Sequence, residues 1–277
     1  MLTRRQFIAG AMGAAASATG LWFYATEGEP FWVDVVERVL RVRGLPDSLV
    51  GRRLVHLSDL HVGEYVPDDY LFRSFERVAT YDPAIVVITG DLTQHTSLEH
   101  ASSVYARLPR GRLATVCTFG NHDYGTGWSE PDKADALAAM LTDQGISVLR
   151  NETFDVAGLQ IIGMDDLWAR RFSAQQALSS ADISRAAVCL SHNPDTVDTE
   201  GWSGFEGWIL AGHTHGGQVR PPFMDPPRLP VENKRYTSGE FELSGGRKMY
   251  ISRGLGFLRQ LRFNARPEVT VFELRGA

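Results

Sequence analysis

Short apolar runs alternate with amphipathic segments through most of this 277-residue chain. The runs are rich in β-branched residues and end at turn residues, which predicts strands, whereas the segments between them have helical spacing. The first three strand and helix pairs are "RRLVHLSD" with "PDDYLFRSFERVATY", "AIVVITGD" with "SLEHASSVYARL", and "LATVCTFGNHD" with "PDKADALAAMLTDQG". Later strands are predicted in "SVLRN", "LQIIGMDD", "AAVCLSHNPD", "GWILAGHTH", "FELSGGRKMYIS" and "EVTVFEL". The alternation predicts a layered α/β domain, and the β-rich tail predicts sheets packed face to face.

The first thirty residues differ from the rest of the chain. Arg4 and Arg5 precede an uncharged segment from Phe7 to Thr26, which is the layout of an export signal. The sequence "TRRQFI" resembles the twin-arginine export consensus, and "ASA" offers a cleavage site. Apolar residues continue beyond that site, and about 20 of them can span a bilayer, so an uncleaved anchor is an open alternative. We predict residues 1–30 as signal or membrane anchor and residues 31–277 as the functional domain, exported to the periplasm or the outer face of the cytoplasmic membrane.

Composition excludes several classes of function. The net charge of −5 gives no basic footprint for nucleic acid, so no nucleic-acid partner is expected. The two cysteines, Cys117 and Cys189, lie in apolar runs without metal-type spacing, which predicts buried thiols rather than a disulfide framework. The segment from Phe31 to Val50 fits either an irregular strand or a short basic amphipathic helix.

Polar motifs follow the predicted strands in a fixed order: "SDLH", "TGD", "GNHD", "SHNPD" and "GHTH". Open α/β sheets bind ligands at the carboxyl ends of their strands, so these motifs are expected to meet. In "GHTH", an extended backbone would direct His213 and His215 to the same side of the chain. Oxygen and imidazole donors without a thiolate predict a site for two divalent metals such as Mn, Fe, Co, Ni or Zn.

The series D-x-H, G-D, G-N-H-D, H and G-H-x-H resembles the calcineurin-like metallophosphoesterase superfamily from Val55 to Val219. Together with the twin-arginine start, "SRGLG" and "RPEVTVFEL", it is similar over the whole chain to exported bacterial phosphodiesterases of the YaeI/YkuE type. The resemblance implies an α/β fold, a four-layer α/β/β/α sandwich of two mixed sheets. It also implies a hydrolase with two divalent ions, Mn, Fe or Zn, that cleaves a phosphodiester or pyrophosphate bond by attack of a metal-bridging hydroxide.

The same resemblance assigns seven ligands and two supporting residues. Asp59, His61 and His215 would hold the first metal, Asn121, His192 and His213 the second, and Asp91 would bridge the two. His122 would stabilise the transition state or protonate the leaving group. Asp123 would orient His122 through a ring nitrogen, although an aspartate after a strand can equally cap a helix.

Other functions remain as alternatives. A lipid-linked substrate, such as the UDP-2,3-diacylglucosamine of lipid A metabolism, would suit a membrane anchor, but that substrate is cytosolic and the predicted export argues against it. A non-catalytic scaffold is disfavoured because every ligand position and His122 are intact. A metal-storage protein would leave His122 without a role. His56 is predicted to be a core or edge residue, His95 a rim residue and His100 a solvated helix residue.

Overall fold

The computed structural model describes residues 3–202 and 204–277. Met1, Leu2 and Ser203 lie outside the described residues, as do five side chains of the predicted signal, those of Phe7, Ile8, Ala9, Ala11 and Ala14.

Fourteen strands and five α-helices are present in the described residues. In chain order, the strands are β1 (Asp34–Val42), β2 (Arg53–Leu57), β3 (Val62–Gly63), β4 (Ile85–Thr89), β5 (Thr93–Gln94), β6 (Ala114–Thr118), β7 (Ser147–Val148), β8 (Glu152–Val156), β9 (Leu159–Gly163), β10 (Ala187–Leu190), β11 (Gly207–Ala211), β12 (Gly239–Glu242), β13 (Arg247–Ile251) and β14 (Glu268–Gly276). The helices are α1 (Arg4–Phe23), α2 (Asp68–Ala79), α3 (Leu98–Tyr105), α4 (Pro131–Asp143) and α5 (Ala174–Ser179).

Two six-stranded sheets form the body. The first has the strand order β1-β14-β2-β4-β6-β7, and the second has the order β12-β13-β11-β10-β9-β8. Strands β2, β4 and β6 are parallel neighbours in the first sheet, and β9, β10 and β11 are parallel neighbours in the second. Antiparallel pairs occur between β14 and β2, between β12 and β13, and between β8 and β9, so both sheets are mixed.

Side-chain alternation along single strands shows how the layers stack. On β4, Val86 and Ile88 pack in the cluster that also contains Leu71 of α2. Ile85 and Val87 point the opposite way, into a second cluster shared with the other sheet. Because both faces are covered, all five residues of β4 are buried, as is typical of parallel strands. A third apolar cluster lies between the second sheet and α5. The predicted four-layer α/β/β/α sandwich of two mixed sheets is therefore confirmed.

Helices α2, α3 and α4 follow the predicted positions closely, whereas the short helix α5 was not predicted. Helix α2 begins after Pro67 with Asp68 and Asp69 in its first turn, where negative charge is favourable. It buries one face, which includes Phe75 and Val78, against the first sheet. The ambiguous segment after Phe31 is a strand, β1, which pairs with β14 over nine residues.

The N-terminal helix α1 continues through a π-helical turn into a segment that packs on the body. The backbone N–H of Arg262 donates to the carbonyl oxygen of Ala25 at 2.9 Å. The buried Glu29 carboxylate accepts hydrogen bonds from the backbone N–H groups of Asn264 and Ala265. Packing against the body thus begins a few residues before the predicted boundary at residue 30. Within the described residues, no helix combines the length and apolar character needed to cross a membrane.

Candidate metal centre

The loops that follow β2, β4, β6, β10 and β11 converge at one end of the two sheets. The N–H of Asp59 donates to Gly90 O at 3.0 Å, and the N–H of Gly212 donates to His192 O at 3.0 Å. The His213 N–H in turn reaches both carboxylate oxygens of Asp59, each at 3.1 Å. These bonds join loops from both sheets, so the predicted meeting of the strand-end motifs takes place.

Two clusters of buried metal-type donors result. In each cluster one donor atom per residue lies within 4.8 Å of the others. The first contains Asp59, His61 and His215, and the second contains Asp91, His192 and His213.

Within the first cluster, two ring nitrogens face each other. His61 Nε2 lies 3.1 Å from His215 Nε2, and His215 Nε2 lies 3.3 Å from Asp59 Oδ1. Donor atoms bound about 2.1 Å from one ion are about 3.0–3.4 Å apart, so these spacings fit a shared cation.

The second cluster repeats this geometry. His213 Nδ1 lies 3.1 Å from His192 Nε2, which lies 3.3 Å from Asp91 Oδ1. The other ring nitrogen of His192 lies 2.8 Å from Thr89 O, so an N–H donated there leaves Nε2 free to bind a metal. Asn121 is buried, and neither polar atom of its side chain has a hydrogen-bond partner among the described residues. A buried amide oxygen without a donor is the expected state of a metal ligand, since buried polar groups are otherwise satisfied.

Asp91 lies between the clusters and divides its oxygens between them. Its Oδ1 faces His192, whereas its Oδ2 lies 3.6 Å from His61 Nε2 in the first cluster. This arrangement supports the predicted bridging role, because each carboxylate oxygen can bind a separate metal.

Electrostatics favour cations at this site. Burial lowers the pKa of His61 and His213 to about 3, which keeps both rings neutral with a lone pair to donate. Burial also opposes the charging of His192, yet the nearby Asp91 outweighs it and raises the pKa of His192 to about 10, so a metal that binds Nε2 would displace a proton from this ring. Asp91 itself has its pKa held well below the usual range; burial opposes this, but the positive charge available on His192 and His122 prevails. The residues present therefore fit a pair of divalent metals.

The ligand backbones are unusual. Five candidate ligands have φ between 47° and 69°: Asp59, His61, Asp91, His213 and His215. Non-glycine residues rarely adopt this left-handed region, and strain of this kind concentrates at functional sites. The expectation that His213 and His215 project from one extended segment is therefore wrong. The chain turns at both residues, which is why each reaches a different cluster.

Close packing behind the ligands explains two glycines. A Cβ on Gly212 would lie 1.8 Å from Ser58 Oγ and 2.4 Å from Asp59 Oδ2. A Cβ on Gly120 would lie 2.3 Å from Asp91 Oδ1. Since the Ser58 hydroxyl donates to Asp59 Oδ2 at 2.6 Å, the loop after β11 approaches the hydrogen-bonded support of a metal ligand.

His122 and Asp123 have different surroundings. His122 is half-buried; its N–H donates to Asp91 Oδ1 at 3.0 Å, and its ring lies edge-on to His61 at 5.2 Å. The predicted hydrogen bond from the His122 ring to Asp123 is not made within the described residues. Asp123 accepts instead from the backbone N–H groups of Leu92, Thr93 and Gly120, at 2.8–3.0 Å. It holds the Asp91 loop against the Asn121 loop, and so acts on the site through the backbone.

Residues outside the motifs complete the surroundings of the site. The Trp168 ring lies edge-on to His213 at 4.4 Å and packs against Trp128 at 4.8 Å. Asp166 is buried, and its Oδ2 has no partner among the described residues. The sequence marks Asp166 only by its place at the end of a strand, in "GMDD", and nothing in the sequence marks the two tryptophans.

Arg262 is the largest fully buried side chain in the described part of the chain. Its guanidinium donates to the carbonyl oxygens of Gly254, Gly256 and Ala265, and lies 3.3 Å from His215 Nδ1. It therefore fixes the loop that packs against the first cluster.

His56, His100 and Arg253, which lies in "SRGLG", make structural contacts. His56 is buried and bonds to Thr89 at 2.7 Å, as expected for a core histidine. His100 is only half-exposed and pairs with Asp68 at 2.9 Å, so it is less solvated than predicted. Arg253 pairs with Glu268 and Asp34. Cys117 and Cys189 are free and buried, as predicted.

Comparison with known proteins identifies the family. The profile of the calcineurin-like phosphoesterases matches residues 52–217, a range that contains every predicted site residue. The chain belongs to the calcineurin-like phosphoesterase family. Members of this family use divalent metals, in agreement with the two clusters.

Full-length relatives agree with this family. Phosphodiesterase YaeI of Escherichia coli (strain K12) is 32% identical over 99% of this chain and 100% of its own. The uncharacterized metallophosphoesterase YkuE of Bacillus subtilis (strain 168) is 32% identical over 99% of this chain and 98% of its own. UDP-2,3-diacylglucosamine pyrophosphatase LpxG of Chlamydia trachomatis serovar D is 26% identical over 90% of this chain and 91% of its own. The predicted YaeI/YkuE-type resemblance is confirmed, and the protein is a phosphoester hydrolase.

Proposed function

We propose that this phosphoesterase cleaves phosphodiester or pyrophosphate bonds with two divalent metals, Mn, Fe or Zn, held side by side. Asp59, His61 and His215 would hold the first, Asn121, His192 and His213 the second, and Asp91 both. The observation that carries the proposal is the division of the Asp91 oxygens between the two donor clusters. When bound, such metals lower the pKa of water and stabilise negative charge on a phosphoryl group.

His122 is the protein's own proton donor in this proposal. It is half-buried, so a substrate can reach it, and its backbone is tied to Asp91. From that position the ring would donate a hydrogen bond to the phosphoryl oxygens and a proton to the leaving oxygen. Asp123 would act as a positioning residue, because its carboxylate joins the loops that carry Asp91 and His122.

The test is hydrolysis of bis(p-nitrophenyl) phosphate after metal removal and readdition of Mn²⁺, Zn²⁺ or Mg²⁺. Asp91→Asn is expected to lose metal-restored activity, because a neutral amide cannot bridge two cations. His122→Ala is expected to keep two metals and lose about 10²–10⁴-fold in rate, the usual contribution of a general acid. His100→Ala is the matched control, since His100 lies on α3 and bonds to Asp68. Full activity in Asp91→Asn would refute the bridging role.

A lipid-linked pyrophosphate is the second candidate substrate. The similarity to LpxG over 90% of this chain favours it, because that relative is named a pyrophosphatase of UDP-2,3-diacylglucosamine. Hydrolysis of this compound at a higher kcat/KM than that of simple diesters would support the lipid-linked substrate. Equal or lower kcat/KM would favour a soluble diester.

We also propose export through the twin-arginine-type signal, with the protein at the periplasmic side or the outer face of the cytoplasmic membrane. The support is the Arg4 and Arg5 pair, which opens an otherwise uncharged helix capped by Thr3. A reporter fused at the C-terminus should be active only outside the cytoplasm, and Arg4→Lys with Arg5→Lys should abolish that signal. Arg41→Lys with Arg43→Lys is the control, because both arginines are exposed on the body. A cytoplasmic reporter would refute the proposal, and fractionation would separate anchored from released protein.

A further inference from the structure

A cavity of about 380 Å³ opens beside the second donor cluster. Its volume lies within the range of about 300–1,000 Å³ in which proteins bind small molecules. Trp128, Trp168, Arg170 and Arg171 line it, together with Tyr124, three residues beyond the candidate ligand Asn121. Trp168 connects this cavity to the second donor cluster, because its ring lies edge-on to that of His213 with the ring centroids 4.4 Å apart.

The two indoles provide a large aromatic surface. Their rings lie 4.8 Å apart at 30° to each other, and both side chains are half-buried. Trp128 has φ of 58°, a conformation that is costly for a bulky residue. The loop that presents it is held by a hydrogen bond from the Thr126 N–H to Glu130 at 2.6 Å. Strained backbone of this kind is concentrated at functional sites, and here it places the Trp128 ring at the wall of the cavity.

The two guanidinium groups are available to an anion. Arg170 and Arg171 are exposed, and within the described residues neither forms an ion pair or a side-chain hydrogen bond. The backbone turn that carries Arg170 and Arg171 is held in place by Asp166. The Arg171 N–H donates to Asp166 O, and the Ala169 N–H donates to Asp166 Oδ1. Guanidinium groups bind phosphate through charge-assisted hydrogen bonds, and indoles stack on planar bases.

We propose that this cavity, the tryptophan–arginine pocket, binds the nucleotide part of the substrate. The base would stack on the indoles, and Arg170 and Arg171 would bind a phosphate that the metals do not hold. The inference rests on the proposed phosphodiester or pyrophosphate cleavage and assigns its substrate class as a nucleotide-linked ester.

Calorimetry on the Mn²⁺-loaded protein tests the pocket without requiring turnover. Uridine 5′-monophosphate and ribose 5-phosphate carry the same phosphate and differ in the base. The nucleotide is expected to bind at least about 5-fold more tightly, since stacking of one base corresponds to about 5–150-fold. Trp128→Asn should remove this difference and still fold, because asparagine tolerates a positive φ. Trp22→Ala is the matched control, because it removes an exposed indole of helix α1, which does not line the cavity.

The arginines have their own measurement. Uridine 5′-methylenediphosphonate, whose P–C–P bridge cannot be hydrolysed, should bind about 10-fold more tightly than the monophosphate, since one further hydrogen bond to a charged group corresponds to about that ratio. The double variant Arg170→Ala with Arg171→Ala should lose that gain. Arg73→Ala, an exposed arginine on α2, should keep it.

The possible outcomes distinguish a wrong pocket assignment from a wrong proposed function. Equal affinity for the nucleotide and the sugar phosphate, or a difference that survives in Trp128→Asn, would overturn the pocket assignment. Base-dependent binding combined with no turnover of any diester or pyrophosphate would retain the pocket and refute the proposed function.

Discussion

Gly212, which precedes the H-x-H motif, leaves no room for a side chain, and the substitution Gly212→Ala tests this close packing directly. A methyl group there would lie 1.8 Å from Ser58 Oγ, 2.9 Å from Ser58 Cβ and 2.4 Å from Asp59 Oδ2. Real contacts of this kind are well above 3 Å, so the loops after β2 and β11 must separate by about 1 Å or more. Ser58 has little freedom to yield, because its hydroxyl bonds to both Asp59 and Thr89.

The displacement has two consequences of predictable size. Overpacking of a dense interior costs about 1–3 kcal/mol, which lowers Tm by about 2–4 °C per kcal/mol in a domain of this size. Loss of the support of a metal ligand costs about 10–100-fold in metal affinity. Because Gly212 contacts Asp59 and not Asp91, we expect the first metal site to weaken more than the second.

Calorimetric titration with Mn²⁺ and thermal unfolding of the metal-free protein measure both effects. Gly276→Ala is the matched control. Gly276 is the last residue of β14, as Gly212 is the first residue after β11, but a Cβ at Gly276 meets nothing within 4 Å. Two sites of unchanged affinity in Gly212→Ala, with an unchanged Tm, would refute the close packing described here.

Three further predictions follow from buried groups. Burial raises the pKa of Asp166 to about 7, so the metal-free protein should lose about 3 kcal/mol of stability through this group as pH rises from 4 to 7. Urea unfolding of Asp166→Asn at both pH values should lack this loss; an unchanged pH profile would contradict it. Arg262→Met should lower the free energy of unfolding by at least about 3 kcal/mol, because it leaves several buried carbonyl groups without a hydrogen-bond donor. Chemical denaturation measures this change, and a loss below about 1 kcal/mol would exclude the structural role. Cys117 and Cys189 should not react with an aromatic disulfide until the protein unfolds, because burial raises the pKa of both thiols.

The sequence predicts which residues meet in the two donor clusters because the fold brings the ends of parallel strands together. The motifs at Asp59, Asp91, Asn121, His192 and His213 each follow a parallel strand, and parallel strands in register end at one edge. Apolar runs covered on both sides are easily recognised, so the positions of these strands follow from hydrophobicity alone.

Conformations and surfaces are harder to predict than strand order. The left-handed turns at His213 and His215 depend on loop packing, and an extended-chain argument therefore gives a wrong picture of how their rings separate. The contacts of Asp123 are backbone N–H groups, which carry no sequence signature. The tryptophan–arginine pocket joins two loops that lie about forty residues apart, and only their packing makes them one surface.

Backbone strain and the proposed metal binding would be coupled at this centre. Each left-handed non-glycine residue costs about 1–3 kcal/mol, and five candidate ligands share that conformation in a protein whose total stability is expected to be about 5–15 kcal/mol. The surrounding structure must hold these turns in place, which explains why Asp59 and Asp91 are each hydrogen-bonded to a neighbouring loop. Metals that bind only the folded chain would offset part of this cost by mass action. The same buried carboxylates and facing imidazoles that would weaken the metal-free protein would therefore favour the binding of cations in the folded site.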